Sequence, residues 1–241
     1  SPKEHVYRQI IDIHRSGQNP ASPDPASHDP SFAGMAACVG VSAENWQPVA
    51  EKAKAAAPIR NYHQSVLQRR SKRNFVSTPM KNESFSYLVD LICRAAGGAD
   101  PPDDYAASIC CGVLTGHVEN QQAGFYMIDT AQHAVGRVFQ GPVTEKMAAV
   151  CLNQAWLANA AVHFVFLTHP DQLDRQWGPR GYRHAMITAG RLGHAVYLGA
   201  TALGLGCCGI GAFYDFEARS LLGLTDDLAM LYLVAAGPVR A

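Results

Sequence analysis

Charge of one sign is what this chain lacks first. Its 20 Lys and Arg are matched by 20 Asp and Glu over 241 residues. No net field is available to gather nucleic acid or another polyanion. Long apolar runs are lacking too: none reaches the ~18 residues of a membrane span. The first twenty residues hold no signal-peptide hydrophobic stretch. The expectation is a cytoplasmic protein with no membrane or nucleic-acid partner.

Paired cysteine signals are also absent. The seven cysteines include no C-x-x-C, and four of them sit in the adjacent pairs Cys110-Cys111 and Cys207-Cys208. Neighbours in a strand point to opposite faces, so neither pair suits a disulfide or a metal clamp. Reduced, mostly buried thiols are expected, and no metal site. His163 and His169, six apart, read as ordinary strand-face histidines. The chain has no G-x-x-x-x-G-K-[ST], no H-E-x-x-H and no G-x-S-x-G, so nucleotide-triphosphate, zincin and acyl-transfer chemistry have no local support. Gly204, Gly206 and Gly209 do satisfy G-x-G-x-x-G, but in inverted order, with a helix before them and a strand after. A helix end relieved by left-handed Gly204 and Gly206 accounts for them better than a dinucleotide loop.

What is present divides the chain in two. Residues 1–60 read as an extension that wraps a core: a short amphipathic helix on Val6, Ile10 and Ile13, then four prolines between Pro20 and Pro30. An alanine-rich helix capped at Ser42 follows. The core, 61–241, opens with a helix over "NYHQSVLQRRS" and a second over "KNESFSYLVDLICRAAGG". Strands are expected at "YAASICCGVLTG", "AGFYMID", "AVHFVFLTH", "GCCGIGAF" and "AMLYLVAAG". Helices are expected at "EKMAAVCLNQAWLANA" and "YDFEARSLLGL". Residues 182–203 read as one long helix, apolar nearly all round, which marks it as buried in the domain or at a subunit interface. Arg183, His184, Arg191 and His194 share one side of it. The sum is an α+β fold, a mixed sheet flanked by helices rather than a βαβ repeat.

The densest feature is "QRRSKRNF". Arg69, Arg70, Lys72 and Arg73 crowd five positions around Ser71. Such a run can be a solvated helix end, where cations suit the macrodipole. It can also hold a phosphate monoester, since an arginine fork binds phosphate oxygens bidentately and Ser71 adds a hydroxyl.

"QRRSKRNF" resembles the R-R-S-x-R-x-F signature of the flavin-dependent nitroreductase superfamily. "YLVDLICRAAGG", "AGFYMID" and "GYRHAMITAGRLGHAVYLGATALGLGCCGIGAFYD" follow in that family's order. The likeness is to its SagB-type branch, which includes azoline dehydrogenases of peptide natural products. The resemblance implies an FMN-dependent oxidoreductase with hydride entering at the flavin N5 and ping-pong turnover. NADPH or NADH would be a candidate donor. It implies an intertwined homodimer with residues 182–203 at the interface, and a small-molecule or peptide substrate. By position the FMN contacts would be Arg69, Arg70, Ser71 and Arg73, with Lys72 pointing away. Gly209, Ile210 and Gly211 would lie against the isoalloxazine, with Arg240 completing the phosphate site. Glycine at 209 and 211 would let backbone approach a flat ring. No catalytic residue is assigned. A non-catalytic flavin-binding relative is the further alternative, because the family's loop after the "AAG" helix shrinks here to Gly97, Gly98 and Ala99. The Lys-Tyr pair of azoline dehydrogenases matches Gln176 and Trp177, neither of which is a base. Trp177, Tyr182 and Phe213 are candidates to shape a substrate pocket.

Overall fold

The computed structural model describes residues 7–17, 35–97 and 103–240. The proline-rich stretch and the short loop after Gly97 lie outside the described residues. Helices are α1 (Arg8–Gly17), α2 (Ala50–Ala53), α3 (Tyr62–Gln68), α4 (Asn82–Ala96), α5 (Thr144–Val150), α6 (Pro170–Trp177), α7 (Gly181–Ala202) and α8 (Asp215–Leu222). Strands are β1 (Glu44–Pro48), β2 (Cys110–Thr115), β3 (Gly124–Asp129), β4 (Ala134–Gln140), β5 (Val162–Thr168), β6 (Gly206–Ile210) and β7 (Ala229–Gly237).

The strands form one sheet in the order β1-β4-β3-β2-β5-β7-β6, with antiparallel neighbours throughout. β2 and β5 sit at its centre and every residue in them is buried. That is why they read as unbroken apolar runs rather than as alternation: both faces are covered. Phe85, Leu88 and Ile92 of α4 pack into the same core as Phe125, Phe164 and Phe166 of the sheet. The α+β expectation holds, and six of the cysteines are buried free thiols.

Local propensity loses to tertiary packing at several places. The helix expected from Ser42 is instead β1, paired with β4 and bulged between Glu44 and Gln47, followed by the single turn α2. Trp46 decides this: its ring occupies the space over Gly136, where a Cβ would come within 2.5 Å of the indole. The helix expected over 145–160 breaks after Val150, where Leu152 and Asn153 take left-handed φ of 57° and 56° before a 3-10 turn at Ala155–Asn159. Residues 105–108, expected as the start of a strand, belong instead to a 3-10 turn at Asp103–Ser108. β4 and α6 were not legible in advance.

α7 ends as expected on a left-handed glycine, Gly204, with φ 74°. Leu205 N–H bonds Ala200 O at 2.8 Å and Gly204 N–H bonds Thr201 O at 3.1 Å, the two bonds of a Schellman close. Gly206 serves a different purpose from the one expected. It is a strand residue without positive φ, and a Cβ there would run into Val239 Cγ1. α7 is buried along most of its length, but Tyr182, Met186 and Ile187 stay exposed in the single chain.

Candidate functional site

The site is built on the segment that joins α3 to α4. Asn61 caps α3 reciprocally: Gln64 N–H bonds Asn61 Oδ1 at 2.9 Å, and Asn61 N–H bonds Gln64 Oε1 at 3.1 Å. A helix of seven residues is marginal without such a cap. At Arg69 the chain turns extended. Lys72 N–H bonds Cys207 O at 2.9 Å, Val76 N–H bonds Pro238 O at 3.0 Å, and Arg240 N–H bonds Asn74 O at 3.1 Å. The cationic stretch is thus stitched to edge strand β6 and to the residues that follow β7.

Extended backbone alternates its side chains, and the cluster divides accordingly. On one side the Arg69 guanidinium lies 5.5 Å from the Tyr197 ring centroid. Ser71 Oγ is 2.9 Å from Tyr197 Oη. The Arg73 guanidinium lies 5.9 Å from the Trp156 ring, which itself stacks on Phe75. Tyr197 Oη also accepts the Gly209 N–H at 2.7 Å. One tyrosine of α7 therefore ties the cationic segment to the strand after the glycine turn. Burial raises the Tyr197 phenol, so at neutral pH it is a neutral hydroxyl able to donate and accept.

On the other side Arg70 and Lys72 line a cleft together with Arg60 and Arg240. Six of the eight residues expected around one ligand are hence placed in two groups. Arg69, Ser71 and Gly209 meet at Tyr197 and Arg73 reaches Trp156, whereas Arg70 and Arg240 share the second cleft. Lys72, expected to point away, lines that cleft too. Tyr197 and Trp156 were missed by sequence reasoning because an aromatic in an apolar helix or near a buried turn looks like core.

The two expected ring-facing glycines differ. At Gly211 a Cβ would meet nothing within 4 Å, so a flat ligand has room to approach. At Gly209 a Cβ would fall on Tyr232 Oη. Gly209 is therefore required by an internal neighbour, and its N–H is already given to Tyr197. Burial pushes the Tyr232 phenol up to about 12, so it too stays protonated. Burial raises Cys207 well above its ordinary value, followed in effect by neighbouring Cys208, which keeps this thiol uncharged and unreactive.

A separate aromatic cluster stands at the start of α7. Tyr105 stacks on His184 with ring centroids 3.7 Å apart and tilts against Trp177 at 6.4 Å. Burial, then Arg180 and Arg183, lower the His184 imidazole. Gln176 and Trp177 are both buried, Tyr182 is exposed, and Phe213 packs partly against the core. No group of His, Cys, Asp or Glu suited to a metal occurs among the described residues. None of the helices in these residues is long and apolar enough to cross a membrane.

An all-antiparallel central sheet, a long helix closed by Gly204 and a cationic stretch tied to the strand after it make up an architecture of the nitroreductase type. The nitroreductase family pattern matches residues 66–237, more than half of the chain, and the chain belongs to that family. A Methanocaldococcus jannaschii protein assigned by name to the nitroreductases is 27% identical over 172 residues, covering 67% of this chain and 83% of that protein. A nitroreductase-type structure from Anabaena variabilis superposes with TM-score 0.73 at 22% identity, over 81% of this chain but 42% of that one. This chain thus spans less than half the length of that relative. The NADPH:FMN oxidoreductase of Vibrio harveyi, complexed with NAD+, gives TM-score 0.54 at 19% identity, over 76% of this chain and 70% of its own. A chain of the E. coli microcin synthetase McbBCD complex, with truncated pro-MccB17 bound, gives TM-score 0.58 at 20% identity. That match covers 97% of this chain and 93% of that one. At these identities the structures show the shared fold.

Proposed function

We propose that this nitroreductase-family oxidoreductase depends on FMN, and that Arg69, Ser71 and Arg73 with Gly209, Ile210 and Gly211 form its flavin-binding set. The single observation that carries the reading is the Tyr197 junction, which fixes the cationic segment against the strand after the glycine turn beside an open Gly211. The donor set fits the group: guanidinium forks suit a phosphate or a pyrimidine carbonyl, and Gly211 leaves space for a ring. When bound, FMN supplies two-electron hydride chemistry at its N5. The chain's own part is to bind and orient. Arg69 and Arg73 are held over Tyr197 and Trp156, and the Gly209 and Ser71 positions are locked by hydrogen bonds. The buried tyrosines stay protonated and add no negative charge near an anionic ligand. NADPH or NADH is the proposed donor, and the exposed Tyr182, Met186 and Ile187 of α7 are the proposed homodimer face. The test is flavin titration into the purified chain: Arg69→Ala with Arg73→Ala should weaken FMN at least tenfold, and unchanged binding would refute the assignment.

A second reading has one observation in its favour. The microcin synthetase chain matches 97% of this chain, where the other three relatives match 67% to 81%. Its likeness therefore extends into residues 1–60, which we propose as a recognition extension on the family core. On this reading the flavin oxidises a peptide or carrier-bound intermediate. The buried Gln176 and Trp177 offer no base, so any such oxidation would use another proton acceptor. Reduction of the bound flavin by a peptide substrate, without nicotinamide nucleotide, would select this reading; reduction by NADPH or NADH alone would select the first.

A further inference from the structure

A pocket of about 220 Å³ lies where the segment carrying β1 meets the core, and it shares no lining residue with the flavin-binding set. β2 and β3 contribute Cys110, Cys111 and Met127, α7 contributes Leu192, and the β1 segment contributes Trp46. Four further wall positions are alanine: Ala36, Ala43, Ala96 and Ala106. The space exists because these side chains are small, since a leucine at any of them would project into it. Protein interiors otherwise pack to crystal density and keep few voids larger than one water. An apolar cavity of about 150 Å³ stays dry and accepts benzene, so this one is sized for a substituted ring. Its lining is also chemically distinctive. Three sulfur atoms and an indole make it soft and polarisable, and both groups favour the edge or offset face of an aromatic ring. Burial raises the Cys111 thiol, which therefore stays neutral, and no cationic side chain lines the pocket. The one carboxylate and the one hydroxyl of the lining stand together at the end of β3, in Asp129 and Thr130. Asp129 Oδ1 accepts the Ala131 and Gln132 N–H groups at 3.0 and 2.8 Å, which fixes this half-buried carboxylate. Among the described residues its Oδ2 has no donor.

We propose that this pocket binds a small neutral aromatic molecule, of one ring or two fused rings, with an N–H or O–H at its edge directed to Asp129. The ring takes the space left by the alanines and meets the sulfurs and Trp46, while the donor supplies the hydrogen bond that Asp129 Oδ2 lacks. A carboxylate with a free acceptor beside an otherwise apolar wall selects against a ring without a donor, because that ring would bury the oxygen unpaired. Trp46 and Ala43 belong to the segment before the core, whereas Leu192 and Ala96 belong to α7 and α4. A bound ring therefore bridges the two parts, and binding should stabilise the folded chain by mass action. The site rests on its own geometry and stands whether or not the flavin assignment does.

The test is calorimetric titration of indole into the full chain, with and without added FMN, beside a thermal melt. The proposal expects saturable binding under both conditions and a rise in Tm with indole concentration. It expects 1-methylindole, which lacks the N–H, to bind at least fivefold more weakly. Ala43→Leu and Ala106→Leu fill the pocket from two different walls, and each should reduce indole affinity at least tenfold. FMN titration of the same variants should be unchanged, and two independent variants guard against one that fails to fold. No saturable binding would overturn the proposal, as would binding indifferent to both substitutions. Indole that competes with FMN would overturn it too, by placing the probe at the flavin. Equal binding of 1-methylindole would refute the donor contact to Asp129. If the chain takes up no FMN, the flavin reading fails, while indole binding sensitive to Ala43→Leu and Ala106→Leu would still support this site.

Discussion

Tyr197 is the residue on which the proposed flavin site turns, because one hydroxyl serves both Ser71 and the Gly209 N–H. Tyr197→Phe keeps the ring under Arg69 and removes both hydrogen bonds. At about 1 kcal/mol for each bond, FMN affinity should fall by roughly tenfold or more while the fold persists. Flavin titration beside a circular dichroism melt separates the two effects. Gly209 gives a sharper test of the packing. Gly209→Ala places a methyl on Tyr232 Oη and should cost roughly 1–3 kcal/mol by overpacking. Combining it with Tyr232→Phe should recover part of that loss, read from the denaturation midpoint. Gly209 was singled out in the sequence, but its tyrosine partners Tyr197 and Tyr232 were not. The charge density of "RRSKR" suggested an anion site, but which cation faces which way depends on the extended backbone after α3 and on an aromatic 126 residues away.

At the scale of elements, the central strands were readable because full burial writes itself as continuous apolar sequence. β1 was not, because its exposed polar residues carry no pattern and the alanines after it argue for helix. Its place on the sheet edge comes from Trp46 lying over Gly136, a contact between distant segments. The single helix expected at 145–160 failed for a local reason, the left-handed Leu152 and Asn153, which no strong breaker signals. Burial of β5 has a measurable consequence. His163 is fully buried with Nε2 2.9 Å from Leu157 O, and burial lowers its imidazole to about 4 against an ordinary 6.5. Its folded value lies below its unfolded value, so the unfolded chain takes up protons first. The stability it permits is complete above about pH 6.5 and is lost as pH falls toward 4. By linkage the loss approaches about 3 kcal/mol. His163→Gln, which can still donate to Leu157 O, should therefore flatten the fall of Tm between pH 7 and pH 4.5. An unchanged slope would assign the acid sensitivity elsewhere.

The whole molecule leaves an apolar strip of its longest helix uncovered. Ile187 is 61% exposed and Tyr182 53% exposed in the single chain, although α7 packs against α4, α6 and β7 along its other faces. A homodimer through this strip predicts that Ile187→Glu yields a monomer in sedimentation without unfolding the subunit. A dimer that survives the change would move the interface elsewhere. The central claim, however, is the flavin, and its most direct measurement is the visible absorption spectrum of the purified chain with the released chromophore weighed by mass spectrometry. The account predicts one FMN per chain, or its uptake on addition, and loss of that uptake in the Arg69→Ala, Arg73→Ala double variant. A colourless protein that takes up no added FMN would contradict it.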